Sequence, residues 1–212
     1  MKYQKRDCDI KFDVWFGSSE GRQCCDFSFD SEKHEFGLSY AMGSLFGSLL
    51  DAIYSLCIEL LDNGPIPTKT EHEHDDPEQL HRITGIISYA DWDDEGTTLE
   101  WRFSRKLDDN DNNMISVDLE YYGEKDTKYH YDVKLTDLCY AVAKAVTQVL
   151  NKSGISGYHY SAIHDSIDMV RFLAVKHIGL TGSVESICEK ASEPGLPFSS
   201  LKEELELIKL EM

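Results

Sequence analysis

TTLEWRFSRKLDDNDNNMISVDLEYYGEKDTKYHYDVK, residues 97–134, is a run of strands broken by turns. Leu99, Trp101 and Phe103 alternate with Thr98, Glu100 and Arg102, the period-two pattern of a half-buried strand. Asp108 to Asn113 reads as a turn, because short polar side chains bond to their own backbone there. Two more strands follow over 114–123 and 128–134, then a helix over about 136–151 that stops at Ser153-Gly154. Upstream, 82–90 is a further strand.

Working toward the N-terminus, Leu38, Met42, Leu45, Leu49, Ile53, Leu56 and Leu60 recur at the helical period. Ser44, Ser48, Asp51, Ser55, Glu59 and Asp62 form the opposing polar stripe, so a long helix is expected, ending at Asn63-Gly64-Pro65. Before it, Ile10, Phe12, Val14 and Phe16 alternate with charged residues over 9–16, and 22–30 returns with Cys25, Phe27 and Phe29 on one face. In the last quarter, Ile163, Ile167, Val170 and Ala174 predict a helix over 163–178, with a short one near 183–191. Ser200 and Glu203 make a capping box that opens a final helix, with Leu201, Leu205 and Ile208 expected inward.

Strands and helices without strict alternation indicate an α+β fold: a mainly antiparallel sheet of about six strands, two long helices and a helical C-terminal quarter. Leu38-Ser-Tyr40-Ala41-Met42 can be laid over Leu138-Cys-Tyr140-Ala141-Val142. A duplicated hairpin-helix unit is one reading of that overlay, and shared amphipathic periodicity is the other. One domain over 1–212 is expected, with 1–64 and 82–154 as possible halves and 155–212 as an extension.

The chain carries 21 Lys+Arg against 39 Asp+Glu, a net charge of −18 at pH 7. That excess argues against nucleic acid or an anionic membrane as partner, since both need clustered cations. Lys2, Lys5 and Arg6 are followed by Asp7-Cys8-Asp9, not by an apolar run, so no signal peptide is expected. The six cysteines show no C-x-x-C spacing, and Cys57 and Cys139 fall on apolar helix faces, which suits a reducing cytoplasm.

Several motifs invite chemistry. Gly17-x-Ser19-x-Gly21 matches a nucleophile-elbow string but is followed by a strand pattern where a helix is required, so it reads as a hairpin turn. Asp109, Asp111 and Asn113, with Glu120 in the twelfth position, echo a calcium loop, but Met114 stands where the sharp turn needs glycine. His72, His74 and Glu78, with Gly85 beyond, have the H-x-H-x-x-x-E-x₆-G spacing. This resembles the first metal motif of the cupin family and would imply those three residues as ligands. No second motif supplies a fourth histidine, and an acidic solvated loop is the preferred reading.

The acid excess is concentrated, with 18 carboxylates against 6 cations between residues 62 and 126. Asp91, Trp92, Asp93, Asp94 and Glu95 form one cluster and Asp108, Asp109 and Asp111 another, both expected at exposed tips. Trp92 is then the natural aromatic anchor, beside a tyrosine-rich surface that includes Tyr121 and Tyr122. The expected function is non-enzymatic, without cofactor: binding of a basic protein partner, in the manner of an immunity protein or antitoxin that neutralises a nuclease-like protein. The alternative is a metal-dependent enzyme using His72, His74 and Glu78.

Overall fold

The structure is a computed structural model that describes residues 3, 5–16, 23–38, 45–63, 87–94, 97–106, 113–123, 127–161, 166–184 and 199–212. The fold is α+β, with seven strands in two antiparallel sheets and four helices among the described residues. Strands β1 (Lys11–Phe16), β2 (Gln23–Phe29) and β3 (Glu32–Leu38) form a three-stranded meander, followed by helix α1 (Leu45–Asn63). Strands β4 (Ile87–Asp94), β5 (Thr97–Arg105), β6 (Met114–Tyr122) and β7 (Thr127–Lys134) form a four-stranded meander, followed by helix α2 (Leu135–Ser161). Helices α3 (Met169–Thr181) and α4 (Leu201–Lys209) complete the chain.

Strict alternation builds both sheets. In β5 the odd positions Leu99, Trp101, Phe103 and Arg105 are buried, while the even ones stay partly exposed. The same alternation turns Phe12, Phe27, Phe29 and Phe36 of the first sheet inward, onto Trp92, Trp101, Tyr121 and Tyr131 of the second. Ring centroids lie 4.8 Å apart for Phe27–Trp101 and Trp92–Trp101, and 4.7 Å for Phe29–Tyr131. One apolar core therefore runs through both sheets and on into α1, α2 and α3. Arg105 donates to the Leu56 carbonyl, and Trp92 Nε1 donates to the Leu45 carbonyl at 3.1 Å, so α1 is tied to the second sheet. Cys57 and Cys139 meet in this core as free thiols, their sulfurs 3.8 Å apart.

Some expectations give way. The strands are seven, in two sheets, because 32–38 pairs with β2 instead of opening the first helix. Leu38 thus ends a strand while Leu138 lies inside α2, and residues 39–42 of the overlaid stretch lie outside the described residues. Helix α2 does break at Gly154, whose φ of 69° is left-handed, but helical structure resumes to Ser161. Helix α3 starts at Met169, capped by Asp168, whose carboxylate accepts from Val170 and Arg171 amides at 2.9 and 3.1 Å. Its inward residues are Phe172, Leu173, Val175, Lys176 and Ile178, and Val170 is exposed. In α4, Ser200 caps the first turn as expected, but Leu201 and Leu205 face solvent and Leu207 is the buried anchor. The short helix expected near 183–191 and Ile163 fall largely or wholly outside the described residues. No described helix is long and apolar enough to cross a membrane.

The N-terminal segment is pinned where α2 and α3 cross. Arg6 pairs with Asp137 at 2.5 Å and donates to the Gly179 carbonyl at 3.2 Å, while its amide donates to Tyr140 Oη at 3.1 Å. Lys176 is buried and caps the far end of the chain, donating to the Ile208 and Leu210 carbonyls at 3.2 and 2.7 Å. Burial lowers its pKa to about 8.

Candidate functional site

The structure redistributes the residues expected to meet a partner. Asp91 to Asp94 are the last four residues of strand β4, with Asp94 paired to Thr97 at the start of β5. Asp91 is exposed, but Trp92 is fully buried with its indole N–H satisfied, so it is not a surface anchor. The physical reason is strand alternation: Asp91 takes an outward position, so the next residue, Trp92, takes the inward one. Tyr121 is half-buried and Tyr122 exposed, whereas Tyr131 and Tyr158 are core residues. Glu95, Asp108, Asp109 and Asp111, and the candidate ligands His72, His74 and Glu78, lie outside the described residues. Among the described residues, no group of three or more His, Cys, Asp or Glu is placed to hold a metal ion.

Strand register lines up carboxylates on both sheets. On the first, Asp13 of β1 stands opposite Asp26 of β2, which stands opposite Glu35 of β3. All three are exposed, and none makes an ion pair among the described residues. One row along the same face lies Trp15, half-buried, opposite Cys24. On the second sheet, Asp91, Glu100 and Glu120 are successive cross-strand neighbours, and Lys128 closes that row with a 2.8 Å bond to Glu120. The Lys128 bond, with a further one from Tyr122, holds the Glu120 carboxyl below its usual pKa. The next row pairs Arg102 with Asp118 and Asp118 with His130, whose Nδ1 lies 2.5 Å from that carboxylate. Beside it, Lys106 holds Asp132 at 2.5 Å.

The first acidic row ends at a cleft. Its volume is about 490 Å³, and it is lined by Lys33, His34 and Glu35 of β3 together with Thr97, Tyr121, Tyr122, Gly123, Thr127 and Tyr129 of the second sheet. Glu35 is the last member of the first row. Tyr122 donates to Glu120 at 2.5 Å and so joins the second row to the cleft.

The inner wall is a hydrogen-bonded relay. Tyr131 Oη donates to Glu32 Oε2 at 2.6 Å, and His34 Nε2 lies 2.7 Å from the same Oη. The phenol has one proton and gives it to Glu32, so His34 Nε2 must carry the N–H. The neutral imidazole then has its lone pair on Nδ1, which has no hydrogen-bond partner among the described residues. His34 is only 7% exposed, stacked on Phe27 at 5.0 Å and edge-on to Tyr129 at 4.6 Å. Burial lowers its pKa, with Glu32 opposing; burial together with Glu32 raises that of Tyr131.

Sequence reading misses His34, Glu32, Glu35, Asp13, Asp26 and Trp15. The available signal is the short alternation of exposed Lys33 and Glu35 with buried His34 and Phe36, obscured by the low-charge run that begins at Phe36. A second cleft, about 650 Å³, is lined by the first sheet, the segment before it and α2. It carries Arg6, Lys11, Lys33 and Lys144 alongside Asp7, Asp13, Asp26 and Glu35. Compared with known protein families, curated proteins and solved structures, the chain finds no match.

Proposed function

We propose that this protein binds a basic protein partner through its acidic sheet faces. The concrete form is neutralisation of a nuclease-like protein by covering its cationic, nucleic-acid-binding surface. The observation that carries this reading is the cross-strand carboxylate row Asp13–Asp26–Glu35, which ends at a cleft walled by tyrosines, with a second row, Asp91–Glu100–Glu120, bonded to the cleft residue Tyr122. Like charges directly opposite each other oppose folding, so their alignment favours use of that field over mere tolerance of it. A field of one sign raises the encounter rate with an oppositely charged partner, strongly at low salt. Trp15, half-buried beside the first row, supplies the aromatic surface expected of an anchor in place of Trp92.

The test begins with capture of partners by the tagged chain from its own source, washed at low and high salt, with mass-spectrometric identification. The association rate of the captured protein is then measured against Asp13→Asn/Asp26→Asn/Glu35→Gln. A rate that falls about tenfold at low salt and loses most of its salt dependence supports the proposal. An unchanged rate, or a captured protein without a basic surface, removes it.

A further inference from the structure

The tyrosine cleft has a chemistry more specific than negative charge, and it rests on the basic partner proposed above. We infer that this cleft is a socket for an arginine side chain of that partner. His34 offers its Nδ1 lone pair as an acceptor, because the Glu32–Tyr131 relay fixes the opposite tautomer. That acceptor has no donor among the described residues and is not one of the fully buried side-chain atoms left without a partner, so it is open to solvent and to a donor brought by a ligand. Tyr121, Tyr122 and Tyr129 supply ring surface, and Glu35 places a carboxylate at the mouth.

A guanidinium matches this set. It is planar, donates only, stacks on aromatic rings and is more weakly hydrated than an ammonium. A carboxylate ligand would face Glu35 and a lone pair, and an apolar one would leave Nδ1 unpaired. Lys33 lines the mouth from the same face of β3 as Glu35, opposite His34, and both are exposed. A ligand therefore meets one charge of each sign at the rim, and the Nδ1 acceptor and the rings are what favour a guanidinium. Protonation of His34 would replace the acceptor by a donor and add a like charge. The groups facing it are Glu32, Lys33 and Glu35 from its own strand, Tyr121 from β6, and Tyr129 and Tyr131 from β7. Arginine binding should therefore weaken as pH falls below 6.5, the ordinary imidazole value.

The experiment is an NMR titration of the full chain with N-acetyl-arginine amide, read at the His34 imidazole and the Tyr121 and Tyr129 rings. N-acetyl-lysine amide and N-acetyl-citrulline amide serve as controls. Saturable shifts with arginine, with a dissociation constant in the millimolar range and at least about tenfold weaker binding of both controls, support the socket. His34→Phe keeps a ring in the stack but removes the acceptor, and should weaken arginine about tenfold. Should that variant not fold, Glu35→Gln at the exposed mouth must weaken arginine more than it weakens citrulline. No saturable shift at His34, or an equal response to lysine, overturns the inference. No partner protein enters this titration, so its failure and the failure of partner capture are told apart.

Discussion

Replacing Gly179 by alanine adds one methyl group inside a helix, and helix propensity alone favours the change by about 1 kcal/mol. The fold reverses that sign. A Cβ at Gly179 would stand 2.6 Å from Tyr140 Cα, 2.7 Å from Tyr140 N and 3.0 Å from the Cys139 carbonyl carbon. All three are backbone atoms of α2, so no rotamer change relieves the contact. Carbon atoms rest about 3.5–4.0 Å apart, and α3 must therefore move off α2 by about 1 Å. That separation loosens the buried side chains Val175, Ile178 and Leu180 and stretches the Arg6 bond to the Gly179 carbonyl. Overpacking of this kind costs about 3 kcal/mol at the upper end of its usual range, leaving a net loss of about 2 kcal/mol after the propensity gain. For a chain of this length the midpoint of thermal unfolding should fall by about 4–8 °C. Gly157 is the internal control: it is also helical, but its added Cβ meets only the Ser153 Cβ, at 3.5 Å. Gly157→Ala should stabilise by about 0.5–1 kcal/mol. Urea and thermal unfolding of both variants decide the matter. A Gly179→Ala protein as stable as the parent would refute the close crossing of α2 and α3.

Three further outcomes follow from the same packing. Lys176 titrates at about 8 in the fold against 10.5 unfolded, so the unfolded chain holds its proton more tightly. Stability should accordingly rise between those two pH values, by up to about 3 kcal/mol relative to Lys176→Met, in urea titrations across that range. Trp92→Phe loses the bond to the Leu45 carbonyl and leaves a void among Phe27, Phe36 and Trp101, and should cost about 2 kcal/mol in the same assay. Asp13→Asn/Asp26→Asn/Glu35→Gln should raise the thermal midpoint at low ionic strength, with the gain shrinking as salt screens the row in the parent.

The second sheet was legible because its pattern is unmixed. Inward positions from Leu99 to Phe103 are large and apolar, and the outward ones are polar. Strand β3 was not, since its inward side offers only His34 and Phe36, and Phe36 begins the run of low charge that hydropathy merges into α1. Helix α3 packs against both α1 and α2, so it is buried nearly all round and no single stripe shows which side faces out. Val170 is apolar yet exposed there, while the polar Lys176 is buried because two carbonyls receive its ammonium. In α4, periodicity marked Leu201 and Leu205 as a stripe, but only Leu207 reaches the body of the protein. The candidate site was hidden for a different reason: Glu32 and His34 lie about a hundred residues from Tyr131, and only the packing of one sheet on the other brings them together.

Charge that serves only to keep a protein dissolved can sit anywhere on its surface, and dispersing it costs the fold least. This chain instead places Asp13, Asp26 and Glu35 directly opposite one another on adjacent strands, and Asp91, Glu100 and Glu120 likewise. On the second sheet a cation closes the row, through Lys128, and the neighbouring row is laced by Arg102 and His130. The first row makes no ion pair among the described residues, but Lys11 and Lys33 stand in the next row on the same face, and its last carboxylate, Glu35, lines the cleft with His34. Carboxylates set directly opposite one another and a nearby acceptor are the two features on which the proposed binding of a cationic surface rests. On that proposal the acidic face of the first sheet and the tyrosine cleft are parts of a single binding surface, joined at Glu35.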